Sequence, residues 1–131
     1  MNKLIVISYQ INKLKNSVKI RGWFIFAGFG LSLLINLATW ALIYFRLFTI
    51  VKDATSVPLH YNVYFGIDWI GTPIDVFVLP IIGSAVFLVN FILAYMINVR
   101  ERLMDYVVII STIIIQLFIL LASLFVVLIN L

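Results

Sequence analysis

The sequence has no cysteine, and charged residues make up only 11% of its 131 residues. The lack of cysteine excludes a disulfide framework, a thiolate metal site and a cysteine nucleophile. Hydrophobic residues account for 65% of the chain, and the mean hydropathy is +1.21. A soluble chain of this length could not bury so much apolar surface, so these values indicate an integral membrane protein.

Charge is absent from three long stretches, residues 22–45, 76–99 and 106–131. At about 1.5 Å per residue, each stretch forms a helix of roughly 35 Å, which exceeds the ~30 Å thickness of the hydrocarbon core. We therefore predict an all-α integral membrane protein. It has three transmembrane helices, an N-terminal cationic amphipathic helix and a small extracytoplasmic loop between the first two transmembrane helices.

The N-terminal segment contains five Lys or Arg residues and no acidic residue. Its apolar residues recur at helical spacing, which favours a helix in the headgroup region, although a helix packed on a partner or a basic tail would share this pattern. The predicted order is a cytoplasmic amphipathic segment at 1–21, transmembrane helix 1 at 22–48, an extracytoplasmic loop at 49–72, transmembrane helix 2 at 73–98, a cytoplasmic turn at 99–104 and transmembrane helix 3 at 105–131.

The basic residues also predict the orientation of the chain. The N-terminal segment and the link between the second and third spans, which holds Arg100 and Arg102, carry seven Lys or Arg residues. The longer link carries only Arg46 and Lys52. By the positive-inside rule, the N-terminus is cytoplasmic, and the longer link and the C-terminus are extracytoplasmic.

The borders of the second and third spans carry capping signals. Thr72-Pro73-Ile74-Asp75 has the pattern of an N-cap, a proline at the first helical position and an acidic residue at the third. Asn98 and Glu101 have a similar spacing before span three. Pro80 is expected to kink span two near its outer end, because it cannot donate a backbone hydrogen bond.

The three spans contain no Asp, Glu, Lys, Arg or His at depth, which argues against a proton relay or a voltage sensor. Their amide side chains are Asn36, Asn90 and Gln116, of which Asn36 and Gln116 are expected at similar depth. These amides predict hydrogen bonds between helices in preference to a polar cavity.

The longer link contains the only extended mixture of Pro, Gly, His, Asp and aromatic residues. Polar and apolar residues alternate from Leu59 to Gly66, which predicts an extended segment or a hairpin. His60 and Asp68 are two metal-ligand types without a third nearby, so no metal site is predicted. A hydrogen-bonding role for His60 is favoured over a ligand or partner contact, and catalysis is the least favoured role.

The stretch Pro58-Leu-His60-Tyr61-Asn62, followed by Asp68 and Gly71, resembles a bacterial membrane domain of unknown function. That domain forms the first part of Sdp-type toxin-immunity and signalling proteins. The resemblance implies a bacterial cytoplasmic membrane protein with an immunity-like role. It also implies a contact role for a set of residues in this link, namely Pro58, His60, Tyr61, Asn62, Gly66, Asp68, Trp69 and Gly71.

Two functions follow from the sequence. The favoured one is an interaction or accessory protein that uses its outer loop to contact a toxin, a peptide, a lipid, another membrane protein or a second copy of itself. The alternative is a transport or channel component that acts as an oligomer. No nucleophile, acid–base pair or cofactor motif is recognisable, so we predict no enzymatic activity, no cofactor and no nucleic-acid partner.

Overall fold

The structure is a computed structural model that describes the backbone of residues 3–97 and 102–131 and the side chains of residues 22–96 and 103–131. Its α-helices are α1 at Lys3–Leu42, α2 at Thr49–Val51, α3 at Val78–Ile97 and α4 at Arg102–Ile129. A π-helix, Ile43–Phe48, joins α1 to α2, and a 3-10 helix, Pro73–Phe77, precedes α3. The strands are β1 at Val57–Asn62 and β2 at Gly66–Gly71.

Three segments of the described chain are long and apolar enough to cross a membrane, Gly22–Val51, Pro73–Met96 and Leu103–Ile129. This confirms the predicted class, a predominantly α-helical integral membrane protein with three spans. α4 packs against both α1 and α3, so the spans form a bundle. The ends of the spans differ from the predicted ends by no more than three residues.

The backbone of α1 is one continuous helix from Lys3 to Leu42. The segment 1–21 is therefore joined to the first span without a break from Lys3 onward. The side chains of that segment lie outside the described residues, so its position in the headgroup region stays a prediction. Residues 98–101, which include the predicted cap of span three and half of the predicted turn, also lie outside the described part of the chain.

The π-helix continues the first span and aligns its buried residues. Ile43, Leu47 and Val51 are spaced by four and are at most 7% exposed. A π-helix holds more residues per turn than an α-helix, so residues four apart stay on one face. These three side chains pack with four valines from the rest of the chain, forming a cluster that we call the upper core; the valines are Val57, Val76, Val126 and Val127.

The predicted capping signal before span two is present. Asp75 Oδ2 accepts hydrogen bonds from the Thr72 backbone N–H and hydroxyl, each at 2.7 Å. The α-helical part of the span begins at Val78, which places Pro80 in the first turn of α3. Backbone N–H groups of a first turn have no partner within the helix, so this proline costs α3 no hydrogen bond. The backbone changes from 3-10 to α-helix at Val78, and the kink at Pro80 stays a prediction.

Candidate interaction site at the β-hairpin

The link between the first two spans folds into an antiparallel hairpin of β1 and β2. The structure therefore confirms the extended hairpin predicted from the alternation. The alternating stretch, Leu59 to Gly66, ends at the first residue of β2. It therefore covers the second half of β1 and the turn, but almost none of β2. Val57 pairs with Gly71 at the base and Asn62 with Gly66 at the other end, with an irregularity in the register around His60.

Two of the predicted motif residues build the turn. Gly66 has a φ of +75°, a left-handed conformation that strongly favours glycine. The Asn62 side-chain oxygen accepts the backbone N–H of Tyr64 at 2.9 Å, as in an Asx turn. A three-residue turn followed by a left-handed glycine is a common hairpin connection. Asn62 and Gly66 therefore determine the shape of the turn.

His60 and Asp68 form a cross-strand pair. His60 Nδ1 lies 2.6 Å from Asp68 Oδ1, which agrees with the hydrogen-bonding role predicted for His60. In the backbone register His60 is paired with Trp69, the neighbour of Asp68, so the irregularity lies at this pair. The side chains are 60% and 35% exposed, so water screens the pair and its stabilising effect is small. Within the described residues, no group of three or more His, Asp or Glu side chains is arranged to hold a metal ion.

The base of the hairpin is fixed to the helix bundle. Val57 is completely buried in the upper core. Asn130, just beyond the end of α4, donates from Nδ2 to the Pro58 carbonyl at 2.7 Å and to the Val126 carbonyl at 2.8 Å. No sequence signal predicts a structural role for Asn130. In the sequence, Asn130 is recognisable only as a polar amide directly after a long apolar span. Such a pattern cannot reveal a partner that lies 72 residues away.

Gly71 allows the end of β2 to lie close to the start of the second span. A Cβ at this position would collide with the Leu59 side chain and lie 2.8 Å from Asp75 Oδ2. Any other residue would therefore require the Leu59 and Asp75 side chains to move. Gly71 thus has a packing role in the structure.

The other end of the hairpin is apolar and exposed. We call residues 63–65 the tip; Val63, Tyr64 and Phe65 are 85%, 90% and 82% exposed. Tyr61 and Trp69, which belong to the predicted site, are exposed on the strands. The predicted site residues thus separate into a group that shapes the hairpin and a group of aromatic residues that remain available for contact.

An apolar pocket of about 530 Å³ lies between the hairpin and the ends of the second and third spans. Leu59, Tyr61 and Trp69 line it from the hairpin. Leu79 of α3 and Phe125 and Ile129 of α4 line the opposite side. No sequence signal predicted this pocket, because it depends on the angle at which the hairpin meets the helix ends.

The intramembrane amides form a network between the three spans. Asn36 Nδ2 donates to Gln116 Oε1 at 3.2 Å, so these residues do lie at the same depth, as expected. Gln116 Nε2 donates to the Gly83 carbonyl at 2.7 Å, and Asn36 Oδ1 accepts the Ser84 hydroxyl at 3.0 Å. Trp40 completes the network by donating from Nε1 to Ser84 Oγ at 3.1 Å.

Gly83 makes this network possible, because a Cβ there would lie only 2.5 Å from Asn36 Nδ2. The third amide, Asn90, donates to Thr112 Oγ1 at 2.9 Å, and the Thr112 hydroxyl donates to the Val108 carbonyl. All three amides thus make the hydrogen bonds between helices that the sequence predicted.

The fold and this site together define an integral membrane protein in which an anchored β-hairpin lies between the first two of the three described spans. Comparisons of the chain with protein-family models, curated proteins and solved structures find no match. The resemblance to the Sdp-associated domain therefore stays a prediction based on the hairpin residues.

Proposed function

We propose that this protein is a membrane interaction protein whose hairpin tip contacts a partner protein or peptide on the extracytoplasmic side. The observation that carries the proposal is the tip itself, three consecutive apolar residues that are each more than 80% exposed. Exposed aromatic groups of this kind are enriched at protein interfaces, where they supply much of the binding energy.

The construction of the hairpin supports this role. A two-stranded hairpin is marginal by itself in water, but this one is held by the burial of Val57 and by the hydrogen bond from Asn130 to Pro58. A contact surface that is ordered before binding loses less conformational entropy when the partner arrives. The anchoring therefore favours tight binding by a surface of only a few side chains.

The orientation belongs to the same proposal. The distribution of Lys and Arg places the basic N-terminal segment at the cytoplasmic leaflet and the hairpin on the opposite side. A toxin or peptide outside the cytoplasm could then meet the tip, which is the kind of role that the resemblance to the Sdp-associated domain implies. The membrane is proposed to be a bacterial cytoplasmic membrane.

The alternative function, a transport or channel component, has less support. It would require amide side chains that face a shared pore, whereas Asn36, Asn90 and Gln116 are each hydrogen bonded within the bundle. We therefore favour the interaction protein.

The proposal predicts that a partner crosslinks to the tip in native membranes. A photoreactive phenylalanine analogue in place of Tyr64 should yield one discrete protein adduct. The additional substitution Phe65→Ser should reduce the adduct about tenfold, because the loss of a buried aromatic contact costs more than ~1.4 kcal/mol of binding free energy. Immunoblots and mass spectrometry of the adduct provide the measurement.

Ile70 offers a matched control position, because it lies on the same hairpin outside the tip and is 59% exposed. The analogue at position 70 should yield little of the same adduct. Lipid adducts alone at position 64, or equal protein adducts at positions 64 and 70, would contradict a specific contact at the tip.

A further inference from the structure

The pocket beneath the hairpin is a second feature of the same region, and Val63 is the tip residue that also lines it. It follows α4 from Ala122 to Ile129, which is about 10 Å along the helix axis. These residues belong to the membrane-spanning part of α4, and the opposite wall includes the first residues of the second span. The pocket is therefore continuous with the surface that the bundle presents to lipid.

Its walls are chemically uneven. The side formed by the helices is mostly apolar, with Phe125 66% exposed within it, and Asp75 is the charged residue on that side. Asp75 Oδ2 is already bonded to Thr72. The hairpin side adds His60, the Tyr61 hydroxyl and the Trp69 indole N–H, of which the last two are not hydrogen bonded to another group in the described part of the chain. The pocket thus combines an apolar surface at membrane depth with hydrogen-bond donors on the hairpin side.

A helix of another protein is a poor occupant of the pocket. The backbone carbonyls of a helix are already bonded within it, so a partner helix would offer no backbone acceptors to the donors on the hairpin side.

An extended peptide is also a poor occupant. Each of its residues would bring a backbone N–H and a carbonyl into the pocket, and leaving such groups without hydrogen bonds is costly in an apolar environment. The helix side of the pocket offers almost no groups that could bond to them. A hydrocarbon chain has no such requirement.

From these observations we infer that the pocket holds one acyl chain of a phospholipid from the adjacent leaflet. The chain lies along α4 against Phe125 and Ile129 beneath the hairpin. The ester and phosphate oxygens, which only accept hydrogen bonds, meet the donors of Tyr61 and Trp69. This site goes beyond the proposed partner contact, because it supports the hairpin from below and does not depend on what binds the tip.

The test uses the full chain reconstituted in phosphatidylcholine vesicles that contain a phosphatidylcholine with a diazirine in the upper half of one acyl chain. After illumination, mass spectrometry should find the adducts concentrated on residues that line the pocket, such as Phe125. The variant Ala122→Phe places a ring in the pocket and should reduce these adducts about tenfold.

Ala85 provides the matched control, since it is an exposed alanine on the second span that does not line the pocket. Ala85→Phe should leave the adducts on the pocket residues unchanged. Should Ala122→Phe fail to fold, Ala122→Leu makes a smaller addition and should lower the adducts in the same direction.

Adducts spread evenly over the exposed faces of the three helices, or equal labelling of the Ala85 and Ala122 variants, would overturn the site. Partner crosslinking at position 64 is a separate readout. A loss of that crosslink with unchanged lipid adducts would count against the proposed function and leave the lipid site standing.

Discussion

Replacement of Val57 by Asp is expected to release the β-hairpin from the bundle. Val57 is completely buried among apolar residues of the upper core, and a carboxyl group there would find no hydrogen-bond donor among those side chains. We expect a loss of about 4 kcal/mol, at the upper end of the range for single substitutions. An unanchored two-stranded hairpin is not stable, so release and unfolding of the hairpin should coincide.

Hydrogen exchange of the full chain in lipid nanodiscs measures this effect. In the Val57→Asp variant, the amides of β1 and β2 should exchange faster by about two orders of magnitude or more. The amides in the middle of α4 should keep their protection. This pattern would separate local release of the hairpin from unfolding of the whole bundle.

Val63 supplies the control, because the same substitution there affects a valine that is 85% exposed. Val63→Asp should leave hairpin exchange almost unchanged, since exposed substitutions usually alter stability by less than about 0.5 kcal/mol. Equal exchange in the two variants would mean that Val57 does not anchor the hairpin.

Replacement of Gly83 by Val is the second large effect that we expect. A Cβ at position 83 would lie 2.5 Å from Asn36 Nδ2 and 3.0 Å from Gln116 Oε1, so both amides would have to move. Overpacking costs about 1–3 kcal/mol, and each hydrogen bond lost between helices adds about 0.6 kcal/mol. The free energy of unfolding in detergent micelles should therefore fall by about 3 kcal/mol.

Gly30 allows a matched comparison within the spans, because nothing lies within 4 Å of a Cβ placed there. Gly30→Val should be nearly neutral or slightly stabilising. Asn36→Ala removes the closest of the displaced groups. The double variant Gly83→Val/Asn36→Ala should therefore lose less free energy of unfolding than the sum of the losses in the two single variants. Full additivity, or equal losses at positions 30 and 83, would contradict the packing described for the amide network.

The sequence was sufficient to predict the three spans, because uninterrupted apolar stretches have few physical interpretations other than a membrane helix. It also predicted the capping signal at Thr72 and Asp75, where side chain and backbone partners are three residues apart. The common depth of Asn36 and Gln116 followed from counting residues inward from the predicted borders. Each of these features depends on local spacing and on the thickness of the bilayer.

Features that depend on three-dimensional packing were not predictable. The hydrogen bond from Asn130 to Pro58 joins the end of α4 to the start of the hairpin, 72 residues away along the chain, and leaves no trace in local spacing. The structural roles of Asn62, Gly66 and Gly71 became clear only from the turn and from the approach of β2 to Asp75. These roles explain part of the hairpin motif without any ligand, and they leave the exposed aromatic residues as the candidates for contact.

The proposed function depends most directly on which side of the membrane the hairpin faces. Because the chain lacks cysteine, the variants Tyr64→Cys and Ser17→Cys each provide one thiol for a reagent that cannot cross an intact membrane. Tyr64 is 90% exposed, which makes it a suitable labelling position, whereas Asn130 is unsuitable because it anchors the hairpin. In intact cells we expect labelling at position 64, with position 17 labelled only after the membrane is permeabilised. The reverse pattern would place the hairpin in the cytoplasm and contradict the proposed function.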